Sequence, residues 1–456
     1  MADDAPTHEL SFLEKIGYGL GDAACNVVFQ MVMTFMAFFY TDVFGLEPAA
    51  MGTMFLIVRA ISSIADPVMG AICDRTTTRW GKFRPYLLWM SVPYAVVAVL
   101  AFTTPSFSSH GKLVYAYITY LLLMIVYAAI NVPYCALGAV ITPNSRERVS
   151  LNGYRFFLAT TGGALVAAAT LPLVRLLGDG NDKTGFQLAV AVLVGLAVIM
   201  FVACFAATKE RVIAVSSRAS SLWLDVRYLL SNDQWRVVAA LNFVLFVALV
   251  IQDGSTVYYV TWYLNRPDLI GAFLTTGMVS SMIGALFAGP LATRMSKAAA
   301  YSVLQAMIIV FSVALFFVEA NQLTALFVLY AIQQFFTQMA SPILWTMIAD
   351  TADYGAFTTG RRITGLTFSG ALLALKMGTA MGGALLGWLL AYFGYKSGAA
   401  SQSADTIYGI VILFTLVPAI GHSTLIALVR LYRLTDDRCD EILTELNRRS
   451  ESLAES

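Results

Sequence analysis

The chain is short of charge. Only 12% of its 456 residues are Asp, Glu, Lys or Arg, against roughly 25% in an ordinary soluble protein. That scarcity, with 58% hydrophobic residues and a mean hydropathy of +0.72, excludes a soluble globular protein and reads as an integral membrane protein. The formal net charge of +1 removes the electrostatic ground for a nucleic-acid partner. Histidine is scarcer still: His8, His110 and His422 form no HExxH and no Ser/His/Asp pattern, so hydrolytic chemistry has little material and no enzyme is expected. The five cysteines (Cys25, Cys73, Cys135, Cys204, Cys439) make no CxxC pair, which excludes a disulfide framework or a zinc cluster. No GxxxxGK[ST] is present to cradle a nucleotide phosphate, so no cofactor is expected and any work must draw on an ion gradient. The first dozen residues are polar and acidic, so no cleavable signal peptide is expected.

What is present is a succession of about twelve apolar segments, near 15–43, 48–73, 86–104, 112–140, 152–177, 186–207, 236–263, 269–293, 299–319, 323–349, 364–393 and 405–431. Each is long enough to span ~30 Å of hydrocarbon as a helix. With both termini on the cytoplasmic side, most of the 29 Lys and Arg fall in inner segments, and only Lys112, Arg175, Lys183, Arg266 and Lys396 lie outside or near the outer face. That asymmetry predicts the orientation.

The longest polar interruption, 208–235, carries Leu222-Trp223-Leu224 and predicts a short amphipathic helix on the inner surface. It divides the chain into a bundle at 1–207, a cytoplasmic middle loop at 208–235, a second bundle at 236–431 and a cytoplasmic tail at 432–456. One constant offset carries Tyr40 to Tyr259, Pro48 to Pro267, Gly52 to Gly271, Gly70 to Gly289 and Arg75 to Arg294. Two parallel six-helix halves joined by an inner loop are the architecture of the major facilitator fold, an all-α membrane protein of twelve transmembrane helices. Asp66 breaks the repeat, because its counterpart is Ala285.

Polar side chains inside the spans mark candidate functional residues, since a charge at mid-bilayer costs about 2.5–3.5 kcal/mol on insertion scales. In the second span Arg59, Ser62, Ser63 and Asp66 follow i, i+3, i+4, i+7 and are expected on one helix face. The first span has Tyr18, Asp22, Cys25, Asn26 and Gln30; the fourth has Tyr120, Tyr127, Asn131, Tyr134 and Cys135, with Pro133 expected to kink it. Arg155 lies a turn inside the fifth span, free to snorkel or to reach a cavity. Lys376 lies nearer mid-membrane, beside Gly378, Gly382, Gly383 and Gly387, which allow close helix approach. The tenth span offers Gln333, Gln334, Gln338, Ser341 and Trp345, and the seventh Gln252 and Asp253. Cations on one half facing carboxylates, amides and aromatics on the other describe a site for a polar solute, uncharged or acidic, rich in hydroxyls, as sugars are. On the inner surface Asp74, Arg75, Arg79, Arg146, Arg148, Asp350, Asp353, Arg361 and Arg362 are expected to make ion pairs that open and close as a cytoplasmic gate.

Several of these stretches are motifs. Tyr18-Gly-Leu-Gly-Asp22, Phe39-Tyr-Thr-Asp-Val-Phe-Gly-Leu46, Ala65-Asp-Pro-Val-Met-Gly70, Arg79-Trp-Gly-Lys-Phe-Arg-Pro85 and Ala349-Asp-Thr-Ala-Asp-Tyr-Gly355 together resemble the glycoside–pentoside–hexuronide:cation symporter family over essentially the whole chain. The resemblance implies a major facilitator fold that moves a sugar with Na⁺, Li⁺ or H⁺. It places Asn26 and Asn131 where the family's melibiose carrier has sugar-binding aspartates, and it matches Arg155 and Lys376 to basic residues of the sugar site. Cys135 and Ser341 stand at tryptophan positions of that carrier, with Trp345 one turn away, so a sugar other than a galactoside is expected. The sugar-binding set is thus expected to be Asp22, Asn26, Tyr127, Asn131, Arg155, Asp253, Trp345 and Lys376. The family carrier has two aspartates one turn apart on the second span; here Asp66 keeps one and Ser62 occupies the other. A Na⁺ ion asks for several oxygens and more than one negative charge, whereas a lone carboxylate in a partly dry cavity takes up a proton readily. Proton coupling through Asp66 and Ser62 is therefore expected ahead of Na⁺.

The expected protein is a sugar importer of a bacterial inner membrane, in contact with the lipid bilayer and working as a monomer. Two other readings stand beside it. A lysophospholipid or other amphiphile carrier on the same fold calls for an apolar lateral portal, and a non-transporting membrane sensor calls for an appended signalling domain.

Overall fold

Proline decides where the crossings break. The computed structural model describes residues 10–142, 145–211, 222–292, 295–359 and 364–454, and among these the chain is helical throughout, with no strand. Helix α1 (Phe12–Gln30) opens on a capping box at Ser11 and Glu14 and continues through π-helical turns at Met31–Phe35 and Phe39–Val43. The second crossing comes in two pieces, α2 (Pro48–Ser62) and α3 (Ala65–Arg75). Pro67 has no N–H for the Ser63 carbonyl four residues back, and the Ser62 and Ser63 hydroxyls donate to the carbonyls of Arg59 (3.1 Å) and Ala60 (2.7 Å), so the helix parts at Ser63–Ile64. Arg59, Ser62, Ser63 and Asp66 therefore do not ride on one uninterrupted helix, contrary to the periodicity.

The same chemistry divides two further crossings. The third is α4 (Arg84–Trp89) and α5 (Ser91–Ala101), parted at Met90, where Pro93 has no N–H for the Trp89 carbonyl four residues back; the twelfth parts at Thr415, ahead of Pro418. Pro133, by contrast, sits inside α6 (Ser109–Val140), which runs unbroken. Helices α7 (Ser145–Gly178) and α8 (Asp182–Ala207) complete the first six crossings. The Leu222-Trp223-Leu224 stretch opens α9 (Leu222–Ser231), a short helix before the seventh crossing. Then follow α10 (Asp233–Tyr258, with a π turn to Tyr263), α11 (Ile270–Ala292), α12 (Lys297–Phe316), α13 (Leu323–Thr359), α14 (Thr364–Tyr392), α15 (Ala404–Phe414), α16 (Leu416–Val429) and α17 (Asp436–Ala454). Eleven described helical stretches are long and apolar enough to cross a membrane, and α4 with α5 makes the twelfth.

The chain forms two compact units. The first holds Met1–Ser216 with Arg266–Thr275 and Leu390–Gln402, and the second holds the remainder. In the first unit α1 lies against α7 and α8 at distances only small residues permit. A Cβ on Gly162 would stand 2.8 Å from the Ala23 carbonyl oxygen, and one on Gly19 would stand 2.9 Å from that of Tyr154. Tyr395 donates to Asp42 (2.5 Å), and the Ser397 hydroxyl to the Thr41 carbonyl, so the 390–402 segment is fastened to the end of the first crossing. In the second unit Gly378 performs the close-packing role expected of it, since a Cβ there would meet the Phe243 carbonyl oxygen of α10 at 2.4 Å.

The Arg79–Pro85 motif is a folded loop with a single organiser. Glu210, just beyond α8, accepts from the backbone N–H groups of Lys82 (2.9 Å), Phe83 (2.8 Å) and Arg84 (2.9 Å). Gly81 is required twice: its φ is +107°, and a Cβ would fall 2.3 Å from the Glu210 carboxyl carbon.

Candidate functional site

Within the first unit α1, α6 and α7 bring five of the expected residues to one place. Arg155 does not snorkel. Its Nε donates to Asp22 Oδ2 at 2.7 Å, and a terminal nitrogen donates to Cys135 Sγ at 3.5 Å. Its guanidinium also lies over the ring of Tyr134, 5.4 Å from the centroid. Asn26 Nδ2 donates to the Asp22 carbonyl (2.9 Å) and, more weakly, to Oδ1 (3.4 Å). One turn apart on α6, Asn131 Nδ2 donates to the Tyr127 hydroxyl (2.8 Å) and Cys135 Sγ to Asn131 Oδ1 (3.2 Å). The floor is rigid: Tyr18 stacks on Tyr134 with centroids 4.9 Å apart, and the Tyr134 hydroxyl donates to the Tyr18 carbonyl (2.9 Å). Cys135 is exposed, whereas Asn26, Tyr127 and Asn131 are half-buried. The cluster therefore presents amide, hydroxyl and thiol groups, backed by an ion pair, to whatever solute enters.

The acid and the base of this pair come from the same unit, contrary to the expectation of cations on one half and carboxylates on the other. Asp22 and Arg155 are 133 residues apart in the chain. Cys135 as the link from Arg155 to Asn131 was missed; its one-turn spacing from Asn131 was the available signal.

Asp66 is half-buried in the first turn of α3, and Ser62 half-buried at the end of α2, with the Ser62 hydroxyl proton committed to the Arg59 carbonyl. Arg59 is 8% exposed and packs elsewhere: its Nε donates to the Tyr120 hydroxyl (2.8 Å), and its guanidinium stands 5.6 Å from the Phe55 ring centroid. Among the described residues no group of three or more His, Cys, Asp or Glu is arranged to hold a metal ion.

The second unit contributes a different kind of polarity. Gln252 on α10 donates to Gln333 on α13 (2.7 Å), which donates in turn to Ser312 on α12 (2.5 Å); all three are buried. Asp253, beside Gln252, and Lys376 on α14 are half-buried. Trp345 is 41% exposed and stacked on Phe368, their planes 15° apart.

Of the expected gate residues, Asp350 is held within its own unit, by Lys297 (2.6 Å) and the Tyr432 hydroxyl (2.9 Å). Burial and the neighbouring Asp350 push the Cys439 thiol nearby up to about 11. Asp353 is half-buried and Arg75 exposed. Asp74 falls in α3, and Arg146 and Arg148 in the first turns of α7. Arg361 and Arg362 lie outside the described residues. Lys297 and Glu210 escaped the sequence reading. Glu210 could have been noticed as the one acid between Lys209 and Arg211 at the end of an apolar span.

A cavity of about 440 Å³ lies elsewhere in the first unit, lined by Leu171, Pro172, Arg175, Gly271 and Thr275. It is ~25 Å along α7 from Arg155, counted at the helical rise, and does not belong to the cluster.

Comparison with known proteins agrees with this architecture. Residues 17–436 match the family described as MFS/sugar transport protein. The inner membrane symporter YicJ of Escherichia coli (strain K12) is 45% identical over 439 residues, covering 96% of this chain and 95% of that protein. The putative glycoside/cation symporter YagG of the same strain is 40% identical, covering 96% and 95%. The isoprimeverose transporter of Lactiplantibacillus pentosus is 32% identical, covering 96% and 91%. In three dimensions the chain resembles a bacterial homologue of the human lysosomal transporter Spinster, at a TM-score of 0.64 and 13% identity over 95% of this chain and 96% of that one, which speaks to the fold alone. With the helical architecture, the family match and these relatives in hand, the chain belongs to the glycoside–pentoside–hexuronide:cation symporters of the major facilitator superfamily, multi-pass membrane transporters that move a sugar with a cation.

Proposed function

We propose that the protein imports a glycoside together with a proton by alternating access, across a bacterial inner membrane with both termini cytoplasmic. The observation that carries the sugar part is the polar cluster of Asp22, Asn26, Tyr127, Asn131, Cys135 and Arg155 on α1, α6 and α7, where hydroxyl-binding groups converge on a rigid aromatic floor. In the second unit, Asp253, Trp345 and Lys376 are likewise assigned to sugar binding. Relatives named for a glycoside/cation symporter and for isoprimeverose transport support a glycoside as the solute class.

The coupling ion is assigned to H⁺ on Asp66, with Ser62 beside it. Asp66 is the one acid between residues 48 and 73, and a single carboxylate satisfies a proton where Na⁺ asks for several oxygens. Asp74, Arg75, Arg146, Arg148, Asp350, Asp353, Arg361 and Arg362 are assigned to the inner gate, and the two bundles at 1–207 and 236–431 to the moving halves.

Reconstitution in vesicles loaded with a pH-sensitive dye tests this reading. An imposed inward proton gradient is expected to drive glycoside accumulation without Na⁺, and glycoside entry to acidify the lumen. In Asp66→Asn, counterflow exchange is expected to survive while uphill accumulation is lost. Uptake that needs Na⁺ and never shifts lumenal pH refutes the assignment.

A further inference from the structure

The guanidinium of Arg155 is already neutralised. Nε contacts Asp22 Oδ2 at 2.7 Å, with side-chain exposures of 22% for Arg155 and 9% for Asp22. The other carboxylate oxygen of Asp22 takes the Asn26 amide at 3.4 Å, and the free end of the guanidinium leans on Cys135 at 3.5 Å. Each oxygen of Asp22 thus has a partner, and its burial leaves little room for a sugar hydroxyl. Beside the exposed Cys135 thiol and the half-buried, uncharged Asn26, Tyr127 and Asn131, the half-buried Arg155 is reached only as one member of an ion pair.

We infer that this site takes a neutral glycoside and rejects the matching uronic acid, and that Asp22 sets the preference by holding Arg155 in an ion pair. The inference rests on the sugar reading of the cluster and narrows it to one substrate class. A neutral sugar exchanges water hydrogen bonds for those of Asn131, Tyr127 and Cys135, with no net charge moved out of water. A carboxylate entering the same space loses its hydration, and the one cation of this cluster, Arg155, already faces an anion of the protein. Attraction to Arg155 is offset by repulsion from Asp22, and a like charge placed close across a desolvated contact discriminates strongly. Asp22 is on this account a positioning residue and not a sugar ligand, which departs from the role its place in the first span predicted.

The test is a binding measurement on the full chain in nanodiscs, with methyl β-glucoside, methyl β-xyloside and methyl β-glucuronide as probes. Wild type is expected to bind at least one neutral probe and to bind the glucuronide at least about tenfold more weakly. Asp22→Asn is expected to close that gap by gaining glucuronide affinity, because it leaves Arg155 unpaired, while Asp22→Glu restores the wild-type ratio. Equal binding of both classes by wild type overturns the inference, as does a ratio unchanged in Asp22→Asn. Binding of none of the probes, nor of galactoside or larger glycosides, overturns the sugar reading itself, an outcome separate from loss of charge discrimination. If Asp22→Asn does not fold, Arg155→Gln carries the test: an unpaired Asp22 must widen the ratio, and a narrower one refutes the inference.

Discussion

The first two crossings of the two halves share a frame and differ in cargo. Each opening crossing ends in a π-helical turn, at Phe39–Val43 and at Tyr259–Tyr263, and a short loop then delivers proline to the first position of the next helical segment, Pro48 and Pro267. Tyr40 and Tyr259 are both fully buried in these turns. At the same register, however, Asp22 answers to Leu241, Asn26 to Leu245, Arg59 to Met278 and Asp66 to Ala285. The second half has instead a buried hydrogen-bonded chain, Gln252–Gln333–Ser312, next to Asp253. Two copies of one frame, with charges at these registers in one and apolar residues in the other, show that the frame does not need these particular charges to fold. Charges kept inside a membrane span without a folding role are retained for what they bind.

The sharpest way to break this comparison is to move the acid. In an Asp66→Asn background, Ala285→Asp places a carboxylate at the equivalent point of the second half. If coupling belongs to the first half alone, the sugar only equilibrates in vesicles under a proton gradient, as in Asp66→Asn by itself. Restored uphill accumulation would mean that the two halves are interchangeable in this respect.

A smaller effect comes from the brace built on a carboxylate in each half. The first half closes its loop on Glu210, which serves three backbone N–H groups, and the second braces Asp350 between Lys297 and Tyr432. Glu210→Ala strands three donors at once and is expected to lower stability by about 3 kcal/mol, whereas Tyr432→Phe removes one hydrogen bond and costs about 1 kcal/mol. Thermal melting in detergent reads both; a larger loss for Tyr432→Phe would reverse the assignment of the two braces.

The smallest expected effect lies at the start of the fifth crossing. The Lys15 ammonium, 2.9 Å from Glu147, with the Leu10 N–H, holds that carboxyl below the usual carboxylate range. A depressed value in the folded state adds stability above the unfolded value and loses it as pH falls through the folded one. Wild type is therefore expected to melt slightly above Glu147→Gln at pH 7, and the gap to vanish in acid. A gap that persists in acid would assign the difference to packing.

The crossings were legible because a membrane span needs an apolar run of fixed length, and their number and approximate bounds follow from that. Polar punctuation inside a span was legible for the same reason: Asp22, Asn131, Arg155, Asp66 and Lys376 stand out against their neighbours. The breaks were harder to read. Pro67, Pro93 and Pro418 part their helices, while Pro133 does not, because whether a helix survives a missing N–H depends on what packs around the freed carbonyl.

Composition and periodicity by themselves determined a multi-span helical protein with two related halves, since both follow from short-range rules of length, hydropathy and turn chemistry. Partnership was decided only by the tertiary structure. That Arg155 meets Asp22 and Cys135, that Arg59 turns to Tyr120, and that Glu210 folds the Arg79–Pro85 loop all depend on which helices lie side by side. Those neighbours are set by the close approach of small residues such as Gly19 and Gly162 to a facing backbone. A contact of that kind is a property of two surfaces at once, and a single stretch of chain carries only one of them.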